Sequence, residues 1–191
     1  MALPLAGGCA SAPRLPPPGV VAAARGARAY SAELSVSLRG RNLRGRGRVL
    51  VAFARPDALR VEVPGPAGAR LVAVARAGRL TAVFPAERGL YVATASSEEL
   101  EALLGIALTP QELGDLLLGQ PGPRLKDYTV QWGPTAPRRI KATLPDGARL
   151  DVTVREPALD AALGPAAFDP PASQGYRTLD REEARSFWSR R

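Results

Sequence analysis

Five short apolar runs between Arg46 and Thr94, each closed by a turn signal, constrain this chain more than any other feature. They are Arg46 to Ala54, Leu59 to Val63, Arg70 to Ala75, Leu80 to Phe84 and Leu90 to Thr94, all near strand length. Between them stand Arg55-Pro56-Asp57, Pro64 to Gly68, Ala77-Gly78 and Pro85 to Gly89, where proline and glycine stop a strand and set the turn. A new run about every ten residues leaves no room for crossover helices, so the strands must be antiparallel neighbours. In the second run Leu59, Val61 and Val63 share one face while Arg60 and Glu62 share the other. That period of two describes a sheet with one wet side and one side that something else must cover.

The flanking segments supply the cover. Val20 to Arg28 favours a short helix with Gly26 near its end. Tyr30, Ala32, Leu34, Val36 and Leu38 then alternate along a first strand, and Arg39 to Gly45 has the polar, glycine-bearing character of a hairpin loop. After Thr94 the period changes. Ser96 to Glu99 is a capping box followed by Leu100, Leu103 and Leu104. Thr109-Pro110-Gln111-Glu112 is a fuller one, with proline at the first helical position and a Leu113, Leu116, Leu117 stripe ending at Gly119. These two helices, Ser97 to Leu104 and Pro110 to Leu118, are expected across the apolar face. Strands resume at Tyr128 to Trp132, Arg138 to Leu144 and Arg149 to Arg155, the last two joined by a Pro145-Asp146-Gly147 hairpin turn. Leu159 to Gly175 reads as loop, and Asp180 to Glu183 caps a terminal helix whose apolar members are Ala184, Phe187 and Trp188. The class is α+β: an antiparallel sheet covered by short helices.

Composition narrows the chemistry. The chain has no histidine, a single cysteine, and 26 basic against 18 acidic residues, for a formal net charge of +8. Internal disulfides are therefore excluded, as are histidine-based metal and acid–base sites. The basic excess lies in the meander half, where arginines such as Arg44, Arg46 and Arg48 alternate with other residues as on a solvated strand face. Ser96 and Ser97 lack any Gly-x-Ser-x-Gly setting, and Glu98, Glu99 and Glu101 sit where acids stabilise a helix dipole. No catalytic group, cofactor or metal is expected. A nucleic-acid role has no recognition motif and few aromatics behind it.

At the N-terminus, Leu5-Ala6-Gly7-Gly8-Cys9 resembles a bacterial lipobox, in which the cysteine is diacylated and becomes the mature terminus. Ala10 to Gly19 is small and proline-rich, suited to an extended tether. Only eight residues precede Cys9, fewer than a secretory signal needs, so this reading places the natural start further upstream. The expected organisation is a truncated signal and tether over 1–19, a main domain over 20–172 and a C-terminal tail with a short helix over 173–191.

The succession of a helix, a long meander with Arg55-Pro-Asp-Ala-Leu-Arg60 and Pro64 to Gly68, then Leu103 to Ile106, Glu112 to Gly119 and Phe168-Asp-Pro-Pro171, is similar to the LolA/LolB-like lipoprotein carriers and receptors of the bacterial envelope. The resemblance covers roughly residues 20–172. It implies an unclosed, strongly curved β-barrel covered by helices, whose apolar interior accepts acyl chains. On that reading Val49, Val51, Phe53, Leu59, Val61 and Val63 line the sheet side, and Leu113, Leu116 and Leu117 the helix side. The turn Pro64 to Gly68 carries only Pro66 and Ala67 where the receptor branch has a large apolar tip residue. The expectation is a monomeric lipoprotein held by Cys9 on the periplasmic face of the outer membrane, with acyl chains or lipoproteins as partners and a place in lipoprotein sorting. The alternative is a structural or assembly lipoprotein of the envelope with a filled, dry core.

Overall fold

A computed structural model describes residues 16–40 and 44–189, so the lipobox with Cys9 and most of the tether lie outside the described residues. In chain order the elements are α1 (Val20–Gly26), β1 (Ala29–Arg39), β2 (Arg44–Ala54), β3 (Ala58–Gly65), β4 (Gly68–Arg76), β5 (Arg79–Phe84) and β6 (Gly89–Thr94). Then come α2 (Ser97–Leu104), α3 (Pro110–Leu117), β7 (Lys126–Trp132), β8 (Pro137–Thr143), β9 (Arg149–Leu159), a short 3-10 turn at Pro165–Phe168, β10 (Arg177–Thr178) and α4 (Arg181–Ser189).

All ten strands join one sheet in the order β10-β6-β5-β4-β3-β2-β1-β9-β8-β7. Every pairing is antiparallel except β10 with β6. The end strands β7 and β10 are not paired with each other, so the barrel stays open. Laid flat at ~4.8 Å per strand the sheet would be roughly 43 Å wide, while α2 and α3, eight residues each, are roughly 12 Å long. The sheet nevertheless shares one core with them: Tyr91 of β6, Ile140 of β8 and the leucines of both helices belong to a single buried cluster. That is possible only because the sheet curls around the helices. The expected unclosed, curved antiparallel sheet with a helical cover is the architecture observed.

Local chemistry explains the elements. Ala77 and Gly78 take φ of 49° and 73°, the paired left-handed values of a two-residue hairpin turn. Ser96 caps α2 by accepting from the Glu99 N–H, and Gly105 ends it at φ 71°. At α3 the Thr109 hydroxyl accepts from the Glu112 N–H at 3.2 Å, and the Glu112 carboxylate accepts from the Thr109 N–H at 2.8 Å, the reciprocal box expected from the sequence. The same exchange joins Asp180 and Glu183 at α4. The described part of the C-terminal segment belongs to the main core, since Leu179 and Ala184 are buried in it and Phe187 lies against Phe84, ring centroids 5.7 Å apart.

The outer face of the sheet is divided. Val72 and Val74 point outward from β4 and are covered by Phe168 of the 3-10 turn, forming a second small apolar cluster. Among the described residues no such cluster covers the outer face of β1, β9 and β8, which is lined by polar side chains.

Candidate functional site

The candidate site is an apolar pocket between the inner face of β1, β2, β3 and β9 and the helices α2 and α3. Strand register builds it. On the inner face Leu34 lies between Val49 and Val154, Val36 between Gly47 and Val152, and Leu38 between Gly45 and Leu150. The β1–β2 register runs without a shift from Ala29↔Ala54 to Arg39↔Arg44, so the glycines introduce no bulge. They act by omission instead. Val36 and Leu38 face a backbone without side chains, and a Cβ built at Gly47 meets nothing within 4 Å. Space remains where a valine or leucine would otherwise close the core.

Of the nine lining residues expected from the sequence, Val49, Val51, Val61, Val63, Leu113 and Leu117 border the pocket. Phe53, Leu59 and Leu116 lie on the same side of the sheet or helix but in the solid core beside it, each almost fully buried. Phe53 is occupied with α3: its ring lies where a Cβ at Gly114 would be. The sequence reading missed Leu34, Val36, Leu38, Leu104, Ile106, Leu150 and Val152, and both glycines. The alternation of Leu34 to Leu38 and of Leu150 to Val154 is visible in the sequence. That β1 and β9 are neighbours is not.

The void measures about 90 Å³, well below the roughly 300–1,000 Å³ of established small-molecule pockets. As folded, the site admits a few methylenes, not a whole chain. Arg48 stands at its rim, with its Nε donating to Glu33 at 2.8 Å. Two buried hydroxyls, of Tyr30 and Tyr128, have no hydrogen-bond partner among the described residues, and burial pushes both phenols far above the usual tyrosine range. Neither lines the pocket. The lining offers van der Waals contact and no titratable nucleophile or acid, and among the described residues no group of three or more acidic or cysteine side chains could hold a metal. No described helix is long and apolar enough to cross a membrane.

The two helices are held differently. Gly114 over Phe53 and the Arg55–Asp115 ion pair at 2.8 Å fix α3 to the sheet, and Arg55 also donates to the Ala27 carbonyl at 3.1 Å. At its first turn α2 is tied by the Tyr91 hydroxyl donating to Glu99, and by Arg181 of α4 donating to the Glu98 carbonyl at 3.0 Å. Its other end, with Leu104 and the following Ile106, borders the void.

Fold and site together define an open, curled antiparallel sheet closed by two helices over an apolar interior. Solved structures similar to the chain include a LolA superfamily protein from Nitrosomonas europaea, with 13% identity, a TM-score of 0.47 and coverage of 82% of this chain and 99% of that one. Another is a putative outer membrane lipoprotein-sorting protein domain from Vibrio parahaemolyticus, with 9% identity, a TM-score of 0.44 and coverage of 78% and 93%. A DUF1329 family protein from Desulfovibrio piger has 10% identity, a TM-score of 0.43 and coverage of 78% and 92%. No protein-family model matches the chain, and no curated protein matches it.

Proposed function

We propose that this protein is a non-catalytic acyl-chain-binding lipoprotein of the bacterial envelope that takes chains, free or carried by lipoproteins, into the space between its sheet and α2/α3. The observation that carries the reading is the pair of glycines at 45 and 47, which keep a space open on the inward face of an otherwise valine- and leucine-lined strand pair. Gly47 is exposed, so the space opens to solvent there, and apolar surface left open to water by the omission of side chains calls for a use. Because the void is small, loading requires α2 to swing away from the sheet. The lipobox-like segment ending at Cys9 supplies the anchor in this proposal, and two acyl chains hold a membrane where one binds only marginally.

The test is displacement of a fluorescent fatty acid from the full chain. Gly47→Leu should abolish saturable binding while leaving the fold intact, since the added side chain grows into open space at a strand position. Saturable binding that survives Gly47→Leu, or no binding by the wild type, overturns the proposal. One observation favours a second reading, a structural envelope protein with a dry core: the same 90 Å³. Absence of binding by a wild-type protein of native fold is the result that would establish it.

A further inference from the structure

On the outer face of β2, β1, β9, β8 and β7 the strand register sets polar side chains in rows. One row runs Arg48, Ser35, Thr153, Arg139, Gln131, and the next runs Arg46, Ser37, Asp151, Lys141, Thr129. A third places Arg39 beside Arg149 and Thr143. Successive rows lie two residues apart along the strands, about 7 Å. The result is an open depression of about 820 Å³ whose floor is short hydroxyl side chains and whose walls are long cations. Six cations line it against two carboxylates.

The carboxylates are already committed. Asp151 accepts from Arg139 at 2.9 and 2.7 Å, and Asp127 accepts from the Thr143 hydroxyl at 3.3 Å. Arg155 stands 3.9 Å from Glu33, which also holds Arg48. Arg39, Arg46, Lys141 and Arg149 are exposed, and no carboxylate among the described residues lies within ion-pair distance of them. Arg39 and Arg149 stand directly opposite each other, a like-charge pair that destabilises the pairing of their strands, and Arg46 and Lys141 share the field of Asp151, which Arg139 already holds. A multivalent anion removes the repulsion between Arg39 and Arg149.

We propose that this face docks on an anionic lipid bilayer, its cations meeting several acidic headgroups at once. Three observations favour a bilayer over nucleic acid. The depression has no aromatic side chain on which bases could stack. Leu50, on the same face of β2 as Arg46 and Arg48, is one of two large hydrophobic residues exposed among those described. Three of the four strands that carry the cations, β1, β2 and β9, turn their other face to the apolar pocket, and Val36 and Leu150 border both spaces. The other half of the outer face is covered by Phe168, whereas no apolar cluster among the described residues covers this half.

The test is co-sedimentation of the full chain carrying Cys9→Ala, so that no acyl anchor contributes, with vesicles of phosphatidylcholine alone or mixed equally with phosphatidylglycerol. The protein should bind only the mixed vesicles, and binding should fall steeply with salt. Each cation near such a surface strengthens binding about fivefold, so Arg46→Glu/Lys141→Glu/Arg149→Glu should lose at least about 100-fold. Arg25→Glu/Arg79→Glu/Arg138→Glu makes the same change in net charge away from the depression and should retain most of the affinity. The neutral triple variant with glutamine at 46, 141 and 149 gives an intermediate loss and guards against misfolding of the reversed one. Gly47→Leu, which fills the acyl pocket, should bind vesicles as the wild type does, so failure of either proposal is visible without the other. Equal binding to neutral vesicles, equal loss in the two charge-reversed variants, or binding to an RNA oligonucleotide with none to mixed vesicles would overturn the proposal.

Discussion

The ring of Phe53 occupies the place where any residue other than glycine at position 114 would put its Cβ, so α3 can lie as close to β2 as it does only with glycine there. In an isolated helix, replacing this glycine with alanine would add about 1 kcal/mol of helix propensity. Here the overlap is with an aromatic ring that is itself fully buried and has nowhere to turn. Gly114→Ala should therefore destabilise the protein by about 1–3 kcal/mol, read as a lower urea midpoint at constant slope. Adding Phe53→Leu should recover part of that loss. A more stable Gly114→Ala variant would mean that α3 does not rest on Phe53.

Thr109 offers a gentler perturbation of the same helix. Its hydroxyl and the Glu112 carboxylate satisfy each other's backbone N–H groups, and Arg124 steadies Glu112 from 3.4 Å. Thr109→Ala should cost about 1 kcal/mol and Thr109→Ser a few tenths, measured by chemical denaturation. Equal effects of the two substitutions would exclude the cap as the cause.

These two helices show what the sequence makes legible. Caps, turns and alternation depend on neighbours within a few residues, so the Thr109 box, the Ala77-Gly78 turn and the faces of β2 and β3 can all be read directly. Two features could not be. Pairing of β1 with β9 joins residues more than a hundred positions apart, and it brings Leu150 and Val152 to the pocket. The second is the meaning of Gly45 and Gly47, which in one dimension resemble a bulge and in three dimensions pair in regular register and border the open side of the pocket. Phe53 fits the lining pattern equally well by periodicity. Only the position of Gly114 assigns it to the solid core.

Alkaline pH should unfold the protein through its tyrosines. Burial, together with the hydrogen bond and charge of Glu99, pushes the Tyr91 phenol up to about 12. Burial alone raises Tyr30 and Tyr128 further. A raised folded-state value means that the native protein holds a proton which the unfolded chain releases near pH 10. The stability linked to these phenols is thus complete below pH 10 and declines as pH rises through the folded values. Denaturant midpoints between pH 9 and 12 should fall, and Tyr91→Phe should flatten the decline above pH 10. A midpoint independent of pH over this range contradicts the burial of all three rings.

At the acid end Asp151 acts in the opposite direction. The Arg139 hydrogen bonds, more than its charge, hold the Asp151 carboxyl below its ordinary range. A depressed folded value contributes stability that is present above the unfolded carboxylate value near 4 and is lost as pH falls through the folded one. Asp151→Asn should remove that part of the acid-induced loss, a small effect because the pair is partly exposed. Carboxyl chemical shifts followed by NMR should place Asp151 among the last carboxyls to protonate.

Loading of the pocket as proposed requires a helix to move, and the proposal gives that role to α2, whose C-terminal end borders the void. Helix α3 is fixed by close packing on Phe53 and by the Arg55–Asp115 pair; α2 is held by the buried Leu100, Leu103 and Leu104 and, at its first turn, by polar contacts from the buried Tyr91 and the exposed Arg181. Of these two ties only that of Arg181 is exposed and contributes about 0–1 kcal/mol; the Tyr91–Glu99 bond is made by a buried tyrosine and contributes more. Leu104 and Ile106 border the void opposite the sheet, so a movement of α2 away from the sheet would widen it. Tyr91→Phe/Arg181→Ala should therefore speed association of a fluorescent fatty acid several-fold in stopped-flow mixing, at a cost in stability. Asp115→Ala loosens α3 without touching those ties, and should lower stability while leaving the association rate near that of the wild type. The reverse pattern would make α3 the moving element and α2 the fixed one.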